Sequence, residues 1–284
     1  MFDETLALTN RALKKWVRNP FTIIPGLATS AFYLALFGNS FNPTNLVPSS
    51  SLPAAAVSQI KSTILGTTFG GAATYITYLT AGVICLIIVF NMSFGGIDIV
   101  LDRQLGYFNT LLTSPIARAS IYFSGVFQNL AKAMLLAVLT FVIALLIPSG
   151  LELPSSFGVL ELLGAFLAFA LLGLGLSCIF TSLALAARSI DSLIAVVNFI
   201  NLPLIFMSSS LFPSSSFPSW LKAISDVNPI SKADEAARLL IVGGNPAASG
   251  QLAAFTGDIL YLVGFVVAMG ILGYLAAART MRPE

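Results

Sequence analysis

LDRQLGYFNTLLTSPIAR, residues 101–118, is a mostly polar interruption between two long apolar runs, and its position decides how the rest of the chain is read. It holds the charged pair Asp102-Arg103, a glycine at Gly106 and the apolar pair Leu111-Leu112. Pro115, with fixed φ and no N–H, then punctuates the chain before Arg118. The flanking runs, and others along the chain, reach about 20 apolar residues each, enough to cross a bilayer as helix. Hydrophobic residues make up 57% of the 284 positions and charged residues 9%, where a soluble domain carries about 25% charged residues. A water-soluble core cannot absorb that much apolar surface, so the fold expected is an all-α polytopic membrane protein.

The same composition excludes several functions. A net charge of +2, with basic residues gathered at the ends of apolar runs, gives no nucleic-acid face. The absence of histidine removes the commonest general base and the commonest metal ligand. Cys85 and Cys178 both fall inside apolar runs and read as packing residues. The first apolar run follows a basic N-terminus and lacks a small-x-small cleavage pattern, so it reads as an anchor.

Upstream of the connector, span two covers about 72–97 and span one about 21–41. Residues 42–71 between them are rich in Ser, Thr, Pro and Gly and are expected to form an external loop, with Pro43, Pro48 and Pro53 breaking any long helix. Before span one, residues 5–19 place Arg11, Lys14, Lys15 and Arg18 on one helical stripe and Phe2, Leu6, Leu13, Trp16 and Val17 opposite. That pattern fits an amphipathic helix lying at anionic headgroups.

Downstream, span three (about 120–147) overshoots a hydrocarbon core of about 30 Å, so its first turns project or tilt. Lys132 is the one charge well inside an apolar run; it either snorkels to the inner interface or faces a path. Span four (about 157–187) carries Gly164, Gly173 and Gly175, which suit close packing within the chain. Span five (about 191–211) holds Asn198, Asn201 and Pro203, expected to give a kink whose amides bond across helices or line a passage. Residues 213–257 form an external re-entrant-like segment. In it Trp220, Leu221 and Ile224 share a face, and Asp234 can pair with Arg238 at i,i+4. Span six covers about 259–278. Six spans with both termini cytoplasmic put Arg11, Lys14, Lys15, Arg18, Arg103, Arg118, Arg188, Arg279 and Arg282 inside, as the positive-inside rule requires, and residues 101–118 with them.

Read this way, the chain resembles the membrane subunits of type 2 ATP-binding-cassette (ABC) exporters, most closely the daunorubicin-resistance-like drug exporters. The resemblance rests on the basic helix before span one, YITYLTAG at 75–82, DRxxGYF followed by LLxSPIAR in the connector, and FPSSSFPSWLKAISDVNPI at 212–230. The chain departs from many relatives around Asn109 or Thr110, where they place a glutamate, at Ala81, where they place a proline, and at Ser208-Ser209, where they place Ser-Gly. The resemblance implies a permease subunit that moves a hydrophobic or amphipathic substrate (drug, lipid or glycolipid) out of the cytoplasm across the cell membrane. It implies a second permease subunit, as homodimer or heterodimer, and two copies of a separate ATPase that bind the ATP and Mg, this chain carrying no cofactor. No GxxxxGK[ST] phosphate loop occurs in the sequence. The connector would be a coupling helix carrying Asp102, Arg103, Gly106, Tyr107, Phe108, Leu112, Pro115 and Arg118. In it Asp102 and Arg103 would make polar contacts, and Tyr107 and Phe108 would fill an apolar pocket on the ATPase.

Two rivals have sequence-level tests. An ion-coupled secondary transporter usually needs an ionisable group deep in the membrane, and every acid here lies at or near a predicted span end, Glu161 being the best placed. A membrane hydrolase has no histidine to use, and no motif stands beside Lys132 to position a serine.

Overall fold

A computed structural model of the chain describes residues 2–18, 23–40, 54–69, 72–107, 113, 117–147, 151–243 and 251–280. The described residues form helices, in chain order α1 (Phe2–Val17), α2 (Ile24–Ala35), α3 (Ala54–Thr68), α4 (Tyr75–Phe94), α5 (Ile97–Gln104), α6 (Arg118–Leu146), α7 (Val159–Ala186), α8 (Ile190–Phe206), α9 (Ser219–Val227), α10 (Pro229–Ile241) and α11 (Leu252–Thr280). Four stretches are long and apolar enough to cross a membrane: Tyr75–Gln104, which joins α4 to α5, and α6, α7 and α11. The first and fifth expected spans correspond to two shorter apolar helices, Ile24–Gly38 and Ile190–Phe206. The protein is an all-α polytopic membrane protein.

Local chemistry sets the helix ends. Thr74 caps α4 by accepting the Thr77 N–H at 3.2 Å, and Ser189 caps α8 by accepting that of Ser192 at 3.2 Å. Asn228 caps α10 through the Ile230 N–H at 2.9 Å, with Pro229 preset at the first helical position. Its Nδ2 donates back to the Leu204 carbonyl at 2.8 Å, one of the carbonyls that the end of α8 leaves without an intrahelical donor.

The core is built around α7, which packs against α4, α6, α10 and α11. Ile84 and Ile88 of α4, Phe169, Leu172 and Phe180 of α7, and Ile230 and Ile241 of α10 are its fully buried centre. A second cluster, with Trp16, Leu34, Phe69, Tyr75, Leu79 and Leu136, ties the end of α1 and α2 to α4 and α6.

Two expectations change here, and a third is extended. The 42–71 segment contains a helix, α3, of 15 residues. Pro43, Pro48 and Pro53 all precede it, and the run after Pro53 has no further proline and opens on three alanines. In the 213–257 segment, α10 is a core element, because Ile230, Ala233, Ala237 and Leu240 make an apolar stripe that packs on α4, α7 and α11. On α1, Trp16 is buried, but Leu6 and Val17 are about 60% and 59% exposed. The helix also turns a stripe of i,i+4 positions toward the bundle: Glu4 bonds to the start of α6, and Leu8 and Ala12 line a small cavity with Ile121.

Candidate functional site

Charged residues of α1, α5 and α6 converge where these helices meet. Asp98, in the first turn of α5, holds Lys132 of α6 through Oδ2 at 3.0 Å and faces Lys15 of α1 through Oδ1 at 3.6 Å. The Lys132 side chain is only 7% exposed and Lys15 62%, so one carboxylate bridges a buried and an exposed ammonium. Near the other end of α1, Glu4 Oε2 accepts from Ser120 Oγ at 2.9 Å and from the Ala117 N–H at 3.4 Å. A carboxylate at the α6 N-terminus also meets the positive end of that helix. These bonds, the Ser120 hydroxyl first, hold the Glu4 carboxyl below its ordinary range.

The connector is tied to the same corner. Tyr107 lies beneath the Arg11 guanidinium, 4.0 Å from its ring centroid. Arg103 turns inward: Nη1 donates to the Ala187 carbonyl at 2.9 Å and Nη2 to that of Leu185 at 2.6 Å. A fork of two donors thus satisfies carbonyls at the C-terminal end of α7, where a cation is favoured. Gly106 adopts φ +79°, a conformation natural to glycine, and turns the chain out of α5. Asp102 lines the small cavity between α1 and α6 together with Arg11 and Lys15. Arg118 begins α6 and is exposed. Phe108, Leu112 and Pro115 lie outside the described residues.

Of the interfacial set, Arg11, Lys14, Lys15 and Arg18 are exposed and Trp16 is buried. The pathway candidates separate. Asn201 is buried and its Oδ1 accepts from Ser93 Oγ at 2.9 Å, bonding α8 to α4, whereas Asn198 is exposed. Lys132 neither snorkels free nor stands alone, because Asp98 holds it. A span two that ends at residue 97 leaves Asp98 outside it; the need of a buried ammonium for a counter-ion is the sequence signal that points to it.

A second charged cluster sits toward the far end of α4. Arg238 pairs with Asp234 at 2.6 Å, donates to the Ser209 and Ser210 carbonyls at 3.0 and 2.9 Å and to the Tyr78 carbonyl at 3.2 Å, and lies over the Tyr78 ring at 3.7 Å. The i,i+4 pair was legible in the sequence; its burial against Ser209 and Ser210 was not. Gly82 permits this, since a Cβ there would fall within the Ser210 carbonyl group. Between Tyr78 and Phe94 a helix rises about 24 Å, so the two clusters brace opposite ends of α4. Among the described residues no group of three or more His, Cys, Asp or Glu could hold a metal.

Comparison with known proteins agrees with this architecture. Over 241 residues the chain is 27% identical to a protein of Cyanophora paradoxa named as the transport permease ycf38, covering 84% of this chain and 74% of that one. Over 184 residues it is 29% identical to the daunorubicin resistance ABC transporter permease protein DrrB1 of Streptomyces coeruleorubidus, covering 62% of each. Over 281 residues it is 24% identical to a Mycobacterium tuberculosis protein named as the doxorubicin resistance ABC transporter permease DrrC, covering 97% of this chain and 89% of that one. The model of the ABC-2 type transporter family matches residues 3–242. The matched region takes in α1, the connector, the Arg238 cluster and the first three of the four long spans, and on that evidence the chain belongs to the ABC-2 type transporter family and is the membrane subunit of an ABC transport system.

Proposed function

We propose that the chain is the permease half of an ATP-driven exporter whose energy arrives at residues 101–118 from a separate ATPase subunit. The observation that carries this reading is that the connector is bonded to three helices at once: Tyr107 to α1, Arg103 to the end of α7, and Asp98, just upstream, to both α1 and α6. A push on the connector therefore moves α1, α6 and α7 together. Arg103 donates to carbonyls at the end of α7, so its role is to fix the lever, and contact with the partner falls to Asp102, Tyr107 and Phe108.

In this reading ATP and Mg bind the ATPase, of which two copies serve two permease subunits, and this chain needs no cofactor. Both termini, α1 and the connector lie on the cytoplasmic side, as the distribution of Lys and Arg supports. The substrate is hydrophobic or amphipathic; the names of the Streptomyces and Mycobacterium relatives support a drug. Cells producing the chain with its ATPase should accumulate less of a fluorescent anthracycline than cells producing the Arg103→Ala, Phe108→Ala variant at equal membrane levels. Equal accumulation would contradict the reading. The Asp98–Lys132 pair favours one rival, an ion-coupled transporter; collapse of the proton gradient with ATP maintained would stop efflux in that case and spare it in ours.

A further inference from the structure

Where the end of α1 meets α2, facing the last turns of α4, the chain encloses an open cavity of about 550 Å³, within the range of about 300–1,000 Å³ typical of small-molecule sites. Trp16, Tyr33, Phe90 and Phe94 give it aromatic walls, and Asp98 and Lys132 form its charged end. Lys132 has three N–H donors, yet among the described residues it makes one hydrogen bond, to Asp98 Oδ2. Its side chain is 7% exposed, and it borders this cavity. Asp98 divides its charge, because its other oxygen faces Lys15 at 3.6 Å, so Lys132 holds one oxygen of a shared carboxylate. A second acceptor carrying negative charge would satisfy the remaining donors.

The rest of the cavity asks for an apolar body. Its aromatic walls stand beside a helix whose exposed face is basic, the arrangement found where a protein meets lipid headgroups. We propose that this groove binds a membrane amphiphile with one anionic headgroup, the head on Lys132 and the chain along Tyr33, Phe90 and Phe94. The claim concerns binding and holds whether or not the bound molecule is transported, so it can fail while the exporter reading stands.

The chain contains two tryptophans, and Trp16 lines the groove while Trp220 does not. The full-length Trp220→Phe variant, reconstituted in phosphatidylcholine vesicles, reports the site by quenching from a small fraction of dibrominated lipid. Dibrominated phosphatidylglycerol should quench Trp16 at a fraction about tenfold lower than dibrominated phosphatidylcholine, the scale of one charge-assisted hydrogen bond. Adding Asp98→Asn with Lys132→Gln leaves the net charge unchanged, so general attraction to the basic α1 persists while the site loses its cation. That change should remove the preference. Thr29→Phe, which narrows the cavity without altering charge, should remove it too and serves should the double variant fold poorly. Equal quenching by the two lipids, or a preference that survives either change, would overturn the proposal.

Discussion

Lys132 and Asp98 lie 34 positions apart and meet at 3.0 Å. Asp98→Asn alone strands a buried ammonium and should destabilise the protein by about 2 kcal/mol, below the roughly 3–5 kcal/mol of a fully buried pair because Asp98 is itself 42% exposed. Adding Lys132→Gln should recover most of that loss, measured as the midpoint of thermal unfolding in detergent; additive losses would show that the pair does not interact. Gly82→Ala makes a harsher test, since its Cβ would overlap the Ser210 carbonyl and the backbone has no rotamer with which to yield. A cost of at least about 3 kcal/mol is expected, seen as loss of folded protein in the membrane fraction. At this scale the sequence was only partly legible. Asp234 and Arg238 are four residues apart on one helix, and periodicity alone joins them. Asp98 and Lys132 sit on different helices, and no local rule pairs them.

α1 shows how an amphipathic pattern is split between two neighbours. Its basic stripe was legible as an interfacial face, but its other side serves two purposes: Trp16 goes to the core while Leu6 and Val17 face outward. Glu4 is one of the contacts that dock it, and its contribution has a definite pH sense. Its carboxyl is held below the ordinary value of 4.5, so the folded state favours the charged form. The stabilisation is therefore fully present above pH 4.5 and is lost as pH falls through the lower folded value. Trp16 fluorescence should shift as α1 loosens over that acid window, and Glu4→Gln should shift it already at neutral pH; a Trp16 signal unaffected by Glu4→Gln would contradict this docking. α3 is the opposite lesson. Three prolines promised a loop, but proline acts on its own neighbourhood, and all three stand before Ala54.

Across the whole molecule, composition and run length were enough for the class of fold, because a bilayer demands helices of a set length. They could not distinguish a full span from a short apolar helix such as α8, whose 17 residues include Pro203. Nor could they show that α10 plugs the bundle, since a buried amphipathic helix and an interfacial one share a pattern. α11 remains largely uncovered, with Leu260, Val263, Val267, Ile271 and Leu275 exposed. The connector gathers these scales into one claim, that an ATPase docks there and moves α1, α6 and α7. The most direct measurement is how much ATPase subunit stays with the tagged chain after mild solubilisation. Tyr107→Ala with Phe108→Ala should lower that retention about tenfold, as loss of two aromatic anchors at an interface does, while the chain reaches the membrane at its normal level. Undiminished retention would show that the ATPase does not dock on the connector.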